Sequence, residues 1–401
     1  MDGLTDRVAP IRAHEGMGGL VAALGDGGAR YVGGMVRDAL LGIDAADVDI
    51  ATPHPPEDVL RRLGAAGIRT VPTGLAHGTI TAVLPSGPVE VTTLRRDVET
   101  DGRHAVVAFT NRWREDAARR DFTINALYAD PETGAVFDWF DGLADLAAAR
   151  VRFIGDPYRR IAEDHLRILR FFRFHARFGD DADPDGLAAC AARANDLMAL
   201  SRERIAAEML KLLVAARAVP AVALMVARGI LRPVLPEIAP EGVARLERLA
   251  RREAAAGLAP DPIRRLAALL PREPALGEAI GARLKLSNAQ RKRLSSALAP
   301  LAGEPRALAY RIGWEAAVDR LLLSDAFDTE VADAWRALSG WRPPRLPLTG
   351  GALVARGIAT GPDVARLLRQ VEDQWVEEGF PDAQRVAALA DDAAGAWLAS
   401  R

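Results

Sequence analysis

Strand-forming sequence is confined to about the first 140 residues of this 401-residue chain. There, apolar runs rich in β-branched and aromatic residues alternate with glycine-rich turns. From about residue 158 onward, the pattern is one of helices separated by proline and glycine. We therefore expect an α+β fold, with a mixed N-terminal sheet followed by an all-α remainder. The predicted strands are Arg30–Val32, Val48–Ile50, Thr79–Leu84, Val89–Thr93 and Val136–Trp139, and the predicted helices between them are Met35–Leu41 and Pro56–Ala66.

The composition, with 49% apolar and 26% charged residues, is typical of a globular chain that buries a large core. Its single cysteine, Cys190, cannot form an intramolecular disulfide, and its six histidines show no zinc-binding spacing. Charged residues and prolines interrupt the apolar runs, and the first residues do not resemble a signal peptide, so we expect a cytoplasmic protein without membrane contact. The net charge of −2 does not exclude nucleic acid, because affinity for phosphate depends on where positive charge is concentrated.

The first motif that indicates chemistry is a glycine pair followed by two aspartates. Gly33-Gly34 ends a predicted strand and opens a predicted helix that carries Arg37 and Asp38, so backbone N–H groups can approach a phosphate. Asp47 and Asp49 are separated by one residue on the next strand, and both carboxylates therefore point to one face, where they can hold a hard cation. The alternative is a solvent-facing hairpin in which the glycines only form a turn.

These residues resemble the DNA polymerase β nucleotidyltransferase superfamily, and within it the class II tRNA nucleotidyltransferases and the bacterial poly(A) polymerases. In that family the two aspartates bind Mg²⁺ and a later strand supplies a third carboxylate, for which the matching residue is Glu90. Strand alternation places Glu90 on the face opposite Val89 and Val91, although a polar solvent-facing residue would alternate in the same way. The resemblance thus implies that Asp47, Asp49 and Glu90 are catalytic and hold two Mg²⁺ ions.

The second motif is the string from Arg119 to Ala126. Asp121 can accept hydrogen bonds from ribose hydroxyls, and Arg120 can neutralise a triphosphate. Alternatively, the string is a capped helix start in which Thr123 and Asn125 bond locally. The string resembles the ribose-recognising motif of the family, and this resemblance implies a nucleotide-binding role for Asn125 as well.

The third motif runs from Glu163 to Arg173, in a region where six arginines between residues 159 and 177 face only two acidic residues. On one predicted helix, Asp164, Arg167 and Arg170 step by three and share a polar side. A carboxylate beside an arginine can read the amino group and ring acceptors that cytosine and adenine share, while guanine and uracil present a carbonyl there. A solvated amphipathic helix is the alternative. The family resemblance assigns base recognition to Asp164 and Arg167, and further nucleotide contacts to Arg170 and Arg173.

Two other segments match family motifs. The polar stretch from Arg95 to His104 is predicted to be a mobile loop. In the family this flexible loop helps to accommodate ATP, so the presence of Arg95 and Arg96 favours complete CCA addition. The segment from Ser201 to Glu208 is predicted to be a helix N-cap with internal salt bridges.

The resemblance implies a CCA-adding enzyme that transfers CMP, CMP and AMP from CTP and ATP to the 3′ end of tRNA and contacts the acceptor arm, with no protein partner implied. The alternatives are a poly(A) polymerase, a CC-adding or A-adding specialist, and a catalytically silent RNA-binding module. The predicted domains are a nucleotidyltransferase head (1–148), a base-recognising helical neck (149–215), a helical body (216–335) and a helical tail in which tRNA contact is expected (336–401).

Overall fold

The computed structural model describes residues 11, 13–43, 48–100 and 105–400. This part of the chain divides into two compact units, with the boundary between Pro240 and Glu241. The α+β class is confirmed, because strands occur in the first unit and the described elements from Pro157 onward are helical. In the same residues, no helix combines the length and apolarity needed to cross a membrane. The finer division into head, neck, body and tail stays a prediction.

A mixed sheet organises the first unit. The described strands are β1 Arg30–Val32, β2 Val48–Thr52, β3 Arg69–Gly74, β4 Thr79–Leu84, β5 Gly87–Thr93, β6 Arg95–Thr100, β7 Ala105–Phe109, β8 Tyr128–Ala129 and β9 Val136–Phe137. Seven of these strands form the sheet, in the order β3-β4-β5-β2-β1-β8-β9, and β2 and β5 are its parallel pair. The separate strands β6 and β7 pair with each other.

Helices cover one face of this sheet. The first three are α1 Met17–Leu24, α2 Gly34–Leu40 and α3 Pro56–Ala65. Their apolar residues form one buried cluster with the inward side chains of the strands, for example Leu20 with Ile50 and Val91. Since side chains alternate along a strand, the residues between these core positions point away from the cluster. Asp49, between two buried neighbours, and the exposed Glu90 are such residues.

The stretch from Arg95 to His104 was predicted to be a loop, and this was wrong for its first part. Arg95–Thr100 pairs as β6 with Ala105–Phe109 in an antiparallel hairpin, while residues 101–104 lie outside the described residues. The polar composition of β6 shows no apolar alternation, so periodicity gave no strand signal. β3 was missed for a similar reason, because most of its residues are exposed and it contains a proline.

Helices build the rest of the first unit. Their bounds are α4 Trp113–Ala118, α5 Gly142–Ala147, α6 Pro157–Glu163, α7 Arg167–Phe178, α8 Pro184–Ala192, α9 Arg202–Leu213 and α10 Ala218–Ala227. α6 starts at Pro157 after Asp156, whose carboxylate accepts hydrogen bonds from the backbone N–H groups of Tyr158 and Arg159. α7 buries Leu169 and Phe172, as its apolar periodicity predicted.

The third motif does not lie on one continuous helix, contrary to the prediction. α6 ends at Glu163, Asp164 is extended with φ −152°, and α7 begins at Arg167. The Asp164 carboxylate accepts a hydrogen bond from the backbone N–H of Leu166 at 3.1 Å. Aspartate side chains compete in this way for backbone donors and thereby interrupt helices.

The second unit consists of helices with a core of their own. The bounds are α11 Pro240–Ala255, α12 Pro262–Leu269, α13 Pro274–Arg283, α14 Asn288–Ala297, α15 Pro305–Ile312, α16 Trp314–Leu322, α17 Asp328–Leu338, α18 Gly350–Val354, α19 Pro362–Glu377 and α20 Ala383–Ala399. Trp375 and Trp397 belong to the apolar cluster of its last helices. Arg293, part of a basic string in the sequence, pairs with Asp261, Glu315 and Asp319 rather than facing solvent.

Candidate active site

Two carboxylates that the sequence predicted to be catalytic lie side by side on the sheet. Asp49 on β2 is in register with Glu90 on β5, in the parallel pair of strands. Neighbouring strands are about 4.8 Å apart, and registered residues point to the same face. The third predicted carboxylate, Asp47, lies outside the described residues.

The glycine turn joins β1 to α2. Gly33 has a φ of +73°, which favours glycine, and a Cβ built there would lie 3.0 Å from an Nη atom of Arg120. The backbone of Gly33 thus passes close to this guanidinium. Arg37 and Asp38 follow on α2 as a buried ion pair with a separation of 2.7 Å. Burial lowers the pKa of Arg37 more than Asp38 raises it.

Asp121 connects the second motif to α7. Its carboxylate accepts hydrogen bonds from Asn125 at 3.0 Å and from Nε of Arg170 at 2.7 Å, and Asn125 in turn accepts one from Arg37. Burial tends to raise the pKa of Asp121, but the charge of Arg170 and the hydrogen bonds outweigh it, and the pKa falls to about 2. Asp121 is therefore ionised at neutral pH and its two oxygens are held in place.

Asp116 is a central residue that the sequence analysis missed. It is buried and pairs with Arg119 at 2.8 Å and Arg120 at 3.2 Å, and the Tyr128 hydroxyl donates to it at 2.5 Å. It also accepts a hydrogen bond from the backbone N–H of Arg95. Burial tends to raise the pKa of Asp116, but the two arginines and Tyr128 hold it well below its usual range. The i, i+3 and i, i+4 spacing to the arginines was a signal for this pairing.

The proposed base-reading residues each have a partner in the described structure. Asp164 is bound through both oxygens by Arg204 at 3.0 Å. Arg167 donates to Glu163 at 2.6 Å and to the carbonyl oxygen of Arg119 at 3.2 Å. Arg204 lies on α9 behind its Ser201 N-cap, so the predicted cap is confirmed. Arg204 and Glu208 of this helix form salt bridges to other elements.

A second link from α9 reaches α7. Glu208 is buried and accepts from Nε of Arg173 at 2.5 Å. Arg204 and Glu208 are four residues apart and therefore lie on the same side of α9. This helix thus orients two of the predicted nucleotide-binding residues, a role that its sequence did not indicate.

A first cavity of about 460 Å³ brings most of the predicted nucleotide-binding residues together. Asp121 and Asp164 are the carboxylates among its described lining residues, so cations dominate its wall. Such a surface favours a polyanion the size of a nucleoside triphosphate. The predicted residues that line it are Gly34, Arg37, Arg120, Asp121, Asn125, Asp164, Arg167, Arg170 and Arg173. The lining residues that had not been predicted are Arg119, Leu166, Phe174, Arg177 and Arg204.

A second cavity of about 290 Å³ contains Asp49 and Glu90. Arg119 and Arg120 line both cavities. Arg95 also lines the second one. These two arginines thus connect the cavity of the strand carboxylates to the arginine-rich cavity.

Three predicted residues do not line either cavity within the described structure. The backbone of Gly33 instead passes close to the guanidinium of Arg120. Asp38 is buried behind Arg37 and also pairs with Arg177 at 3.2 Å. Arg96 lies on β6 opposite Ala108.

The donor set of the second cavity fits a divalent cation. Carboxylate oxygens are the ligands that Mg²⁺ prefers, and Asp49 and Glu90 offer them from rigid neighbouring strands. Among the described residues, no group of three or more His, Cys, Asp or Glu side chains could hold a metal ion. The predicted trio includes Asp47, which is not among those residues.

Family models match two regions of the chain. One, described as "Poly A polymerase head domain", matches residues 29–152. Another, described as "Probable RNA and SrmB- binding site of polymerase A", matches residues 182–241. The first spans the sheet with both strand carboxylates, and heads of this polymerase-β-like type generally use a divalent metal.

Individual relatives extend the similarity over most of the chain. The human CCA tRNA nucleotidyltransferase 1, mitochondrial, is 48% identical over 189 residues, which is 46% of this chain but only 43% of that protein. The CCA-adding enzyme of Lacticaseibacillus paracasei is 32% identical over 366 residues, covering 88% of this chain and 89% of that protein. The crystal structure of the Bacillus stearothermophilus CCA-adding enzyme in complex with CTP superposes with a TM-score of 0.72 at 28% identity, covering 93% and 96% of the two chains. This chain belongs to the family of CCA-adding enzymes.

Proposed function

We propose that this protein adds the CCA end to tRNA by transferring CMP twice and AMP once from CTP and ATP, with release of pyrophosphate. The observation that carries the proposal is the pair of adjoining cavities that share Arg119 and Arg120. The second cavity offers the carboxylates of Asp49 and Glu90 for a metal ion. The first cavity offers arginines for a triphosphate, and Asp164 and Arg167 for a base. The human relative is a CCA tRNA nucleotidyltransferase, and this supports tRNA as the substrate.

In this proposal, Asp49 and Glu90 hold Mg²⁺ together with Asp47, and two ions are expected. When bound, the metal supplies activation of the RNA 3′-hydroxyl and neutralisation of charge at the leaving pyrophosphate. The chain itself keeps the carboxylates on parallel strands, so their spacing is fixed before substrate arrives.

Arg120 and Arg119 are the proposed triphosphate ligands. Asp116 and Tyr128 orient the Arg120 guanidinium through its Nη and Nε atoms. The neighbouring turn at Gly33-Gly34 lets phosphate oxygens approach backbone N–H groups at the start of α2. Asp121 and Asn125 are proposed to bind the ribose, and Arg170 keeps the Asp121 carboxylate ionised and oriented.

Asp164 and Arg167 are the proposed base-reading pair. A carboxylate accepts from the exocyclic amino group of cytosine or adenine, while the guanidinium donates to a ring acceptor. Arg204 contacts both oxygens of the Asp164 carboxylate at 3.0 Å and thereby orients it. Uracil and guanine present a carbonyl where the amino group is expected, so the carboxylate repels them.

Arg37 and Arg173, both on the wall of the first cavity, are proposed as further nucleotide contacts. Arg95 and Arg96 on the β6–β7 hairpin are proposed to favour complete CCA addition over CC addition alone.

We also infer that the helical second unit contributes to binding of the tRNA acceptor arm. A cytoplasmic location is part of the same proposal, and cell fractionation with a specific antibody tests it.

The experiment that tests the activity uses a tRNA lacking its last three nucleotides. CTP and ATP are supplied separately and together with Mg²⁺, and the products are sized at single-nucleotide resolution. Three added nucleotides support the proposal, two indicate a CC-adding specialist, and long tails indicate a poly(A) polymerase. No incorporation by the wild-type protein indicates a silent RNA-binding module.

The carboxylate assignment is tested by Asp49→Ala in the same assay. Loss of a metal ligand is expected to reduce incorporation by at least about a thousandfold, because the metal supplies several kcal/mol of transition-state stabilisation. Asp58→Ala is the control, since Asp58 is exposed on α3 and pairs only locally with Arg61. Near-normal incorporation by Asp49→Ala would overturn the assignment.

The base-reading assignment is tested by Asp164→Ala and Arg167→Ala. Each variant is expected to accept UTP and GTP more readily relative to CTP and ATP, by about tenfold or more. The ratio of kcat/KM values for CTP and UTP measures this change. Unchanged ratios in both variants would remove these residues from base recognition.

A further inference from the structure

A buried arginine on α6 connects the base-reading segment to the backbone between the two cavities. Arg160 is only 6% exposed. One of its Nη atoms donates to the Glu163 carboxylate. The other donates to the backbone carbonyl oxygens of both Arg119 and Arg120. Arg160 and Glu163 are three positions apart on α6. Arg119 and Arg120, which supply the carbonyls, lie about 40 residues earlier in the chain.

The chemistry of this contact requires a guanidinium. Its rigid, planar group carries separate N–H donors, so one side chain can serve a carboxylate and two carbonyls at once. An ammonium group is a compact point charge and cannot span the same acceptors. Since Arg160 is buried, its charge depends on these partners for compensation.

Arg167, the proposed base-reading arginine, converges on the same atoms. It donates to the Glu163 oxygen that Arg160 contacts, at 2.6 Å, and to the Arg119 carbonyl, at 3.2 Å. It also donates to the backbone carbonyl of Arg160 at 2.8 Å. The position of Arg167 relative to the Arg119–Arg120 backbone is therefore set by its own bond to the Arg119 carbonyl and by the path through Glu163 and Arg160.

We propose that Arg160 is a positioning residue that determines nucleotide selectivity by fixing Arg167 relative to the Arg119–Arg120 segment. The inference rests on the proposed function, in which Arg167 reads the base and Arg120 binds the triphosphate. Arg160 is not among the described residues that line either cavity, so it acts through other residues. With the triphosphate held at Arg120, a shift of Arg167 changes where the base edge meets its donors.

The neighbouring Arg159 provides a matched control. It lies on the same helix and approaches the other oxygen of Glu163 at 3.6 Å, but its side chain is 83% exposed. It shares the helix, the charge and the acidic partner of Arg160 and lacks the carbonyl contacts.

The test compares Arg160→Lys with Arg159→Lys in the full-length protein, with tRNA lacking its CCA end as the acceptor. The ratio of kcat/KM for CTP to kcat/KM for UTP is measured for single-nucleotide addition. Arg160→Lys is expected to lower this ratio by about tenfold, because the base donors are misplaced, while Arg159→Lys changes it by less than about twofold. A residue that only stabilised the fold would lower the rates with both nucleotides equally.

Arg160→Gln and Arg160→Met, which remove the charge, are made in parallel, and circular dichroism and thermal unfolding establish which variants fold. An unchanged CTP-to-UTP ratio in the folded variants overturns the inference. Failure of every Arg160 variant to fold also overturns it, since the residue would then belong to the folding core. Wild-type protein that does not prefer CTP to UTP would instead contradict the proposed function, which keeps the two failures distinguishable.

Discussion

The geometry of single residues decides where charge lies in the candidate active site. Gly33 is the clearest case, because its φ of +73° disfavours a side chain and a Cβ there would lie only 3.0 Å from Arg120. Among the carboxylates, Asp116 and Asp121 are the residues whose surroundings fix their charge. Each is buried, and each is kept ionised by arginines that line the cavities.

Gly33→Ala is expected to destabilise the protein by about 1 to 3 kcal/mol, because an L side chain is strained at this φ. It is also expected to lower kcat/KM for CTP by about ten- to a hundredfold, since the new methyl group displaces Arg120. Urea unfolding and single-nucleotide addition measure the two effects. Gly64→Ala is the control, because Gly64 lies in α3 with open space around it. Equal behaviour of the two variants would contradict the role given to Gly33.

The pKa of Asp121 predicts a pH dependence of stability. Its folded-state pKa of about 2 lies below the ordinary value of 3.8. Ionised Asp121 therefore stabilises the fold above about pH 4, and this stabilisation is lost as pH falls toward about 2. Asp121→Asn is expected to remove this pH-dependent difference, which is about 2 kcal/mol in full and about 1 kcal/mol between about pH 5 and about pH 3.

The measurement is the free energy of urea unfolding at about pH 5 and about pH 3, compared between wild type and Asp121→Asn. Asp26→Asn serves as the control, since Asp26 is exposed in the loop after α1. A variant whose stability falls between these pH values as steeply as that of the wild type would show that Arg170 does not stabilise the Asp121 carboxylate as described.

At the scale of elements, α9 supports the break between α6 and α7. Its Arg204 binds Asp164 in the break, and its Glu208 binds Arg173 on α7. The two partners face the first cavity. A helix that does not itself carry a predicted site residue thus orients two that do.

Glu208→Ala is expected to cost about 3 kcal/mol of unfolding free energy, because it leaves Arg173 without its buried partner. A double-mutant cycle with Arg173→Ala measures the coupling, and the double variant is expected to recover part of the loss. Lys211→Ala on the exposed side of the same helix should change stability little. A coupling near zero would mean that the pair does not hold α9 against α7.

At the scale of the whole molecule, the predicted nucleotide-binding residues that are described belong to the first unit. The second unit has its own apolar core around Trp375. Separate cores allow the two units to respond separately to mutation and to ligand.

Leu20→Ala and Trp375→Ala are expected to lower different calorimetric transitions. Leu20 is fully buried in the sheet-bearing unit, and Trp375 is 2% exposed in the helical unit. Each truncation should cost about 3 to 5 kcal/mol in its own unit. CTP with Mg²⁺ should raise only the transition that Leu20→Ala lowers, because a ligand stabilises the unit that binds it. A single transition that both variants lower and CTP raises would contradict this independence.

Much of the fold followed from local patterns in the sequence. The change from strands to helices near residue 158, the alternation around Glu90 and the turn at Gly33-Gly34 were all read from neighbouring residues. Such patterns report which side of an element is buried, and this is a local property. β3 and β6 were not predicted as strands, because exposed or polar strands have no such alternation.

The sequence by itself determined the fold class, the family and the residue types of the site. Only the tertiary structure decided which charges meet: Asp164 with Arg204, Glu208 with Arg173, and Arg160 with the carbonyls of Arg119 and Arg120. These partners are 35 to 41 residues apart. The chain contains 52 basic and 54 acidic residues, so charge alone leaves many pairings open. Helix packing selects among them, because a buried ion pair is stable only where both groups are brought together and desolvated in matching geometry.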